Sequence, residues 1–196
     1  MRHRVHRALV RQLGPDRRVV PYRAWSGRNG ITGEPGITNR GVGMKPVIVD
    51  AARTPFGKRE GWLSGVHAAE LLGYAQRGVL DRVGVDPDAV DQVIGGCVTP
   101  LGEQFGNIVR TSWMHAGLPL KAGCTTIDAQ CGTAQQSVQL IAGQIAIGAV
   151  DVGVACGVEL MSRAPLTYKV GTGLGTPRPE SWSLDTVDQY TAADRI

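Results

Sequence analysis

Cys131 stands where a β-rich run gives way to a helical one, within "TTIDAQCGTAQQSVQLIAGQIAIGAVDVGVACGVELMS" (125–162). The thiolate is the nucleophilic form of cysteine. A helix N-terminus presents unpaired N–H groups and a partial positive charge, and both stabilise a thiolate. Gly132 beside it lets a substrate or another backbone approach closely. Position alone leaves Cys131 open between a reactive thiol and a small apolar filler. Cys97 and Cys156 lie inside apolar strand runs and Cys124 begins one, so these three read as fillers. There is no CxxC pair, and no histidine sits at ligand spacing from a cysteine, so no metal site is expected. His67 and His115 fall on predicted helices without a nearby partner and read as surface or half-buried histidines. "GTGLG" (171–175) lacks the strand and spacing of a nucleotide fingerprint and reads as loop.

The elements that must hold such a thiol alternate along the chain from Lys45. "PVIVDAA" (46–52) predicts a buried strand. Leu71, Leu72, Ala75, Val79 and Val83 recur at helical steps over 67–84, with Gly84 as the stop. A second strand is predicted over 91–98 and a short helix over 105–117. A third strand follows over 124–130, rich in Thr and Ile. The helix 132–148 would turn Val138, Ile141, Ile145 and Ala149 to one face, and a fourth strand covers 150–158. Alternating β and α with short links implies an α/β layer fold with a largely parallel sheet. Near-continuous apolar strands suit a sheet covered on both faces. In such sheets ligands bind outside the carboxyl ends of the strands, which is where Cys131 falls.

Charge divides the chain. Residues 1–44 hold nine Arg against Asp16 and Glu34; the remaining 152 residues hold 12 basic and 15 acidic side chains. The mildly acidic remainder argues against a nucleic-acid surface. Residues 1–44 show no period and mix Arg with seven glycines and three prolines. They read as a disordered basic extension: upstream sequence before a natural start at Met44, a tail, or a transit peptide. The longest early apolar run is Ala8-Leu9-Val10, so no secretory signal is expected, and no apolar run nears the roughly 18 residues a membrane helix needs. Free thiols then suit a reducing, cytoplasmic setting.

From about Met44 onward the chain resembles the N-terminal half of the thiolases, the acyl-CoA C-acetyltransferases. "VIVDAARTPFGKREGWLSG" is similar to the thiolase opening with its Arg-Thr-Pro. "GEQFGNIVRTSWMHAGLP" is similar to the segment from G-Q-N-x-A-R to A-G-L-P. The family's N-x-x-C-S-S-G stands here as Asp128-Ala129-Gln130-Cys131-Gly132-Thr133-Ala134. That wording resembles actinobacterial thiolases linked to sterol side-chain breakdown.

The resemblance implies a thiolase-like N-terminal half, α/β, with a mainly parallel mixed sheet covered by helices. It would comprise a core over 45–158 and the start of a loop domain over 159–196. It implies Cys131 as the acyl-thioester nucleophile of thiolytic cleavage or Claisen condensation, with acyl-CoA and coenzyme A as substrates and no resident cofactor. It implies a homodimer or tetramer formed through the strand near 124–130. The family's further machinery, an Asn-Glu-Ala-Phe segment, a Gly-His-Pro histidine and a Cys-x-Gly cysteine, has no matching string here. The expectation is therefore a truncated chain, inactive alone. The alternatives are a non-catalytic half-subunit completed by a complementary thiolase-like chain and a fragment of a ketosynthase-type condensing enzyme. Arg-Thr-Pro and Ala-Gly-Leu-Pro favour thiolase over the last. A sheet lacking its fifth strand would have an unpaired edge and an uncovered face, both of which favour association.

Overall fold

The computed structural model describes residues 44–165, 175 and 178–196. They fall into two compact units divided after Pro165. The expectations for 1–43 and for most of "GTGLG" lie outside the described residues.

Among the described residues of the larger unit, the first helix is α1, Ala68–Val83. The His67 Nδ1 accepts from the Ala69 N–H at 3.1 Å and satisfies one first-turn donor. Gly84, at φ 65°, ends the helix by donating its N–H to the Leu80 carbonyl. Leu71 and Leu72 are buried as their spacing predicts, joined by Gln76 and Leu80. Strand β1, Gln92–Gly96, follows. Helix α2, Ile108–His115, is capped by Asn107, whose side chain accepts from the Arg110 N–H. Strand β2, Gly123–Ile127, leads to helix α3, Thr133–Ala146, and then to strand β3, Gly153–Gly157. The smaller unit holds helix α4, Gln189–Asp194, capped by Asp188.

The sheet order is β2-β1-β3 and both pairings are parallel. Asp91 anchors its lower edge: its carboxylate accepts from the Asp151 and Val152 N–H groups at 2.8 and 3.0 Å. One sheet face meets α1 and α2. There Ile108, Val109, Trp113 and Val93 have no exposed surface, and the Trp113 indole donates to the Pro119 carbonyl at 2.8 Å. The other face meets α3. A Cβ on Gly153 would lie 2.5 Å from Ile141, and a Cβ on Gly96 would collide with Thr133, so glycine alone permits this close approach.

Two expectations change. The predicted strand over 46–52 is not hydrogen-bonded to any described strand, and Val47, Ile48 and Val49 are 76, 79 and 62% exposed. An apolar β-branched run says what a segment buries if it pairs; it does not provide the edge. Both edges of β1 are taken by β2 and β3, and among the described residues the outer edges of β2 and β3 take no further strand. The buried side of α3 is Thr133, Ser137 and Ile141, with Val138 and Ala149 outside. Close packing on glycines selects small side chains there, and the Ser137 hydroxyl donates back to the Thr133 carbonyl. The sheet is covered by helices as expected, with Gly123 and Thr125 of β2 left exposed.

Candidate active site

β2 ends at Ile127, three residues earlier than predicted, and the chain turns through Asp128-Ala129-Gln130 into α3. Gln130 adopts φ 52°, a left-handed conformation that a non-glycine residue rarely holds. Two side chains hold it. The Asp128 carboxylate accepts from the Gln130 N–H at 2.8 Å. The Thr133 hydroxyl accepts from the Ala129 N–H at 2.8 Å and donates to the Gln130 carbonyl at 2.5 Å. The Gly132 and Thr133 N–H groups close the turn onto the Ala129 and Gln130 carbonyls. Cys131 therefore sits on a pinned elbow, exposed, immediately before α3. No side chain caps that helix N-terminus; the Gly132 and Thr133 N–H groups are already bound to carbonyls, so an incoming oxygen would meet the next N–H groups of the first turn.

The elbow rests on the carboxyl end of the sheet. Thr133 lies over Gly96, the last residue of β1. The Cys97 N–H donates to the Ile127 carbonyl at 3.2 Å, and the Val158 N–H donates to the Gly96 carbonyl at 3.0 Å. The segments leaving all three strands thus emerge side by side.

The other thiols differ. Cys97 is 2% exposed. Burial pushes the Cys124 thiol up, against the Arg110 guanidinium beside it. Burial pushes the Cys156 thiol to about 12, with Gln76 Nε2 3.6 Å from its Sγ. Cys156 is only half-buried as a residue, yet its sulfur points into the side facing Gln76 and Gly95. None of the four cysteines forms a disulfide. Among the described residues no three His, Cys, Asp or Glu side chains are grouped to hold a metal ion, and no helix is long and apolar enough to cross a membrane.

His67 is not partnerless as expected: it caps α1 and its Nε2 lies 3.9 Å from Glu103. Neither it nor His115 is hydrogen-bonded to Cys131. The sequence reading missed Asp128, Gln130 and Thr133 as the residues that hold the elbow. Their one signal was an Asp two residues before a position needing support, since Asp bonds the backbone two residues on.

The family model for the N-terminal domain of thiolase matches residues 46–191. The chain is 44% identical over 159 residues to the steroid 3-ketoacyl-CoA thiolase FadA6 of Mycobacterium tuberculosis, covering 79% of this chain and 39% of the relative. It is 39% identical over 129 residues to the beta-ketoadipyl-CoA thiolase of Acinetobacter baylyi, covering 65% and 32%. It is 36% identical over 125 residues to a 3-ketoacyl-CoA thiolase of Pseudoalteromonas translucida, covering 63% and 32%. The chain thus spans 32 to 39% of these relatives' length. Its strands, its parallel order and its domain match agree, and the chain belongs to the thiolase family through the N-terminal domain of that fold.

Proposed function

We propose that this chain supplies the acyl-accepting half of a thiolase-type acyl-CoA acyltransferase, with Cys131 as nucleophile. The observation that carries the reading is the exposed Cys131 on a pinned elbow between a parallel strand and an uncapped helix N-terminus. The Cys131 sulfur attacks the 3-oxo carbonyl of a 3-oxoacyl-CoA or the thioester carbonyl of an acyl-CoA. A carbon–sulfur bond to Cys131 forms; in the first case the bond between carbons 2 and 3 breaks, and in the second the bond to the coenzyme A sulfur breaks. The thiol proton passes to the departing thiolate or carbanion. N–H groups of the first turn of α3 beyond Thr133 meet the oxyanion that develops in between.

The relatives' names share 3-oxoacyl thioesters, steroid-derived in one and ketoadipyl in another, so the proposal stops at that shared chemistry. No base is hydrogen-bonded to Cys131 among the described residues, and the strings that supply the family's remaining acids and bases are absent from the sequence. Turnover therefore needs acid and base groups beyond those found beside Cys131 among the described residues. Residues 45–158 form the core and 159–196 begin the loop domain. The open outer edge of β2 supports subunit pairing through this strand, and the free thiols suit a reducing, cytoplasmic setting.

Peptide mapping after brief iodoacetamide treatment, with and without acetyl-CoA, tests the reading on the native protein with its partners. Cys131 should be labelled first and acetyl-CoA should protect it. Protection of Cys97 or Cys156 with Cys131 untouched would refute the assignment.

A further inference from the structure

Two segments far apart in sequence are fastened to each other at the carboxyl end of the sheet. One leaves β1 and runs from Cys97 to Asn107; the other leaves β3 and runs from Val158 to Arg163. Gln104 lies between them with no exposed surface. Its Nε2 donates to the Thr99 carbonyl at 2.7 Å and to Glu159 Oε1 at 3.1 Å. Its Oε1 accepts from the Leu160 N–H at 2.5 Å. Glu159 Oε2 accepts from the Val98 N–H at 2.8 Å. A second tie joins the same segments, since Arg163 pairs with Glu103, which also accepts from the Ala68 N–H at 3.3 Å.

Every nitrogen and oxygen of the Gln104 and Glu159 side-chain heads has a partner. Burying an amide against a carboxylate costs free energy unless all its atoms are matched, so the arrangement tolerates little displacement. An apolar pair would fill the space without fixing the backbone; these bonds end on backbone groups of both segments. Both segments border the elbow. Gly96, just before the first, lies under Thr133 of the elbow, and its carbonyl holds Val158 of the second.

We propose that Glu159 and Gln104 act as one positioning pair for the thiol site, setting the rim against which an acyl-CoA thioester is aligned to Cys131. Neither residue touches the reacting atoms. The proposal rests on the reading of Cys131 as nucleophile. Misplacing a bound thioester by a fraction of its reacting distance slows attack, whereas a small alkylating agent needs no rim.

The test compares the parent with Glu159→Ala, Gln104→Ala and the double variant in the native protein with its partners. Acylation of Cys131 by acetyl-CoA and its alkylation by iodoacetamide are both followed by peptide mapping. Each single variant should slow saturating acylation about tenfold while alkylation stays within about twofold. The double variant should match a single one, because two members of one unit do not add. Glu159→Gln keeps the size, exchanges one acceptor for a donor, and should fall between parent and Glu159→Ala; it carries the test if the alanine variants do not fold. Additive losses, unchanged acylation, or equal losses in acylation and alkylation would overturn the pair's role. If the parent itself is not acylated at Cys131, the nucleophile reading fails and the pair's role falls with it. If the parent is acylated and the variants equal it, the pair's role alone fails.

Discussion

The two faces of the sheet are built differently. Under α1 and α2 the contact is large and apolar: Leu72, Ile108, Val109 and Trp113 are at most 2% exposed. Under α3 the contact is small: Thr133, Ser137 and Ile141 are its buried residues, and Gly96 and Gly153 let the helix come close. Val138, Leu140 and Ile147 of the same α3 region are 41, 38 and 77% exposed. The first face therefore carries most of the burial that holds the unit together. The second contributes less burial and more placement, since seating Thr133 on Gly96 is what fixes the start of α3 and the Cys131 elbow.

The largest way to break this contrast is on the first face. Trp113→Ala should cost about 3–5 kcal/mol, from lost burial and the cavity left behind. A fall in urea midpoint of that size checks it; a loss below a third of this would mean the α1–α2 face is not the principal core.

Next comes the seat of α3. Gly96→Ala places a methyl group against Thr133 and should cost about 1–3 kcal/mol, the usual range for overpacking. It should also change the alkylation rate of Cys131, which Trp113→Ala should alter only through global unfolding. Gly78→Ala is the matched control, because its new methyl meets nothing within 4 Å. Within a helix that change should stabilise by about 0.5–1 kcal/mol.

A pH experiment separates the faces through one thiol. Cys156 is held at about 12, raised from 9.0 by burial on the α1 side. A raised acid binds its proton more tightly in the folded chain than in the unfolded one. Its contribution is full below pH 9.0 and is lost as the pH climbs toward about 12. Denaturant midpoints should fall over that window in the parent, and less steeply in Cys156→Ala. Equal slopes would show that this thiol is not desolvated in solution.

The smallest effect belongs to the outward side of α3. Val138→Ser should change stability by no more than about 0.5 kcal/mol, because the side chain is already exposed in the chain alone. A larger loss, read from the same midpoints, would show that another surface covers it.

Much of the fold was legible because local chemistry and tertiary structure agree there. The Leu71-Leu72 stripe and Gly84 stop of α1 are satisfied within a few turns, so spacing alone identifies them. The strands at 92–96 and 153–157 lie inside longer predicted runs, and 123–127 begins one residue before its predicted run and stops three short, because apolar content marks burial and does not mark where a ladder stops. The α3 face was misjudged for a related reason. Hydrophobic spacing pointed to Val138, but glycines on β1 and β3, distant in sequence, favour the side bearing Thr133 and Ser137.

By itself the sequence determined that an α/β domain would place Cys131 at a strand-to-helix joint, since residue types and their periods carry that information locally. Only the tertiary structure decided what holds the joint and what surrounds it. Gln130 carries no mark of a left-handed backbone; Asp128 and Thr133 have to be in place to hold it there. Gln104 and Glu159 are ordinary polar residues in the sequence, and become a hydrogen-bonded pair only when two parallel strands bring their exit segments together. The run Val47-Ile48-Val49 is the converse case. Its composition suits a strand, but a strand is a pairing between segments, and among the described residues no partner strand is laid against it.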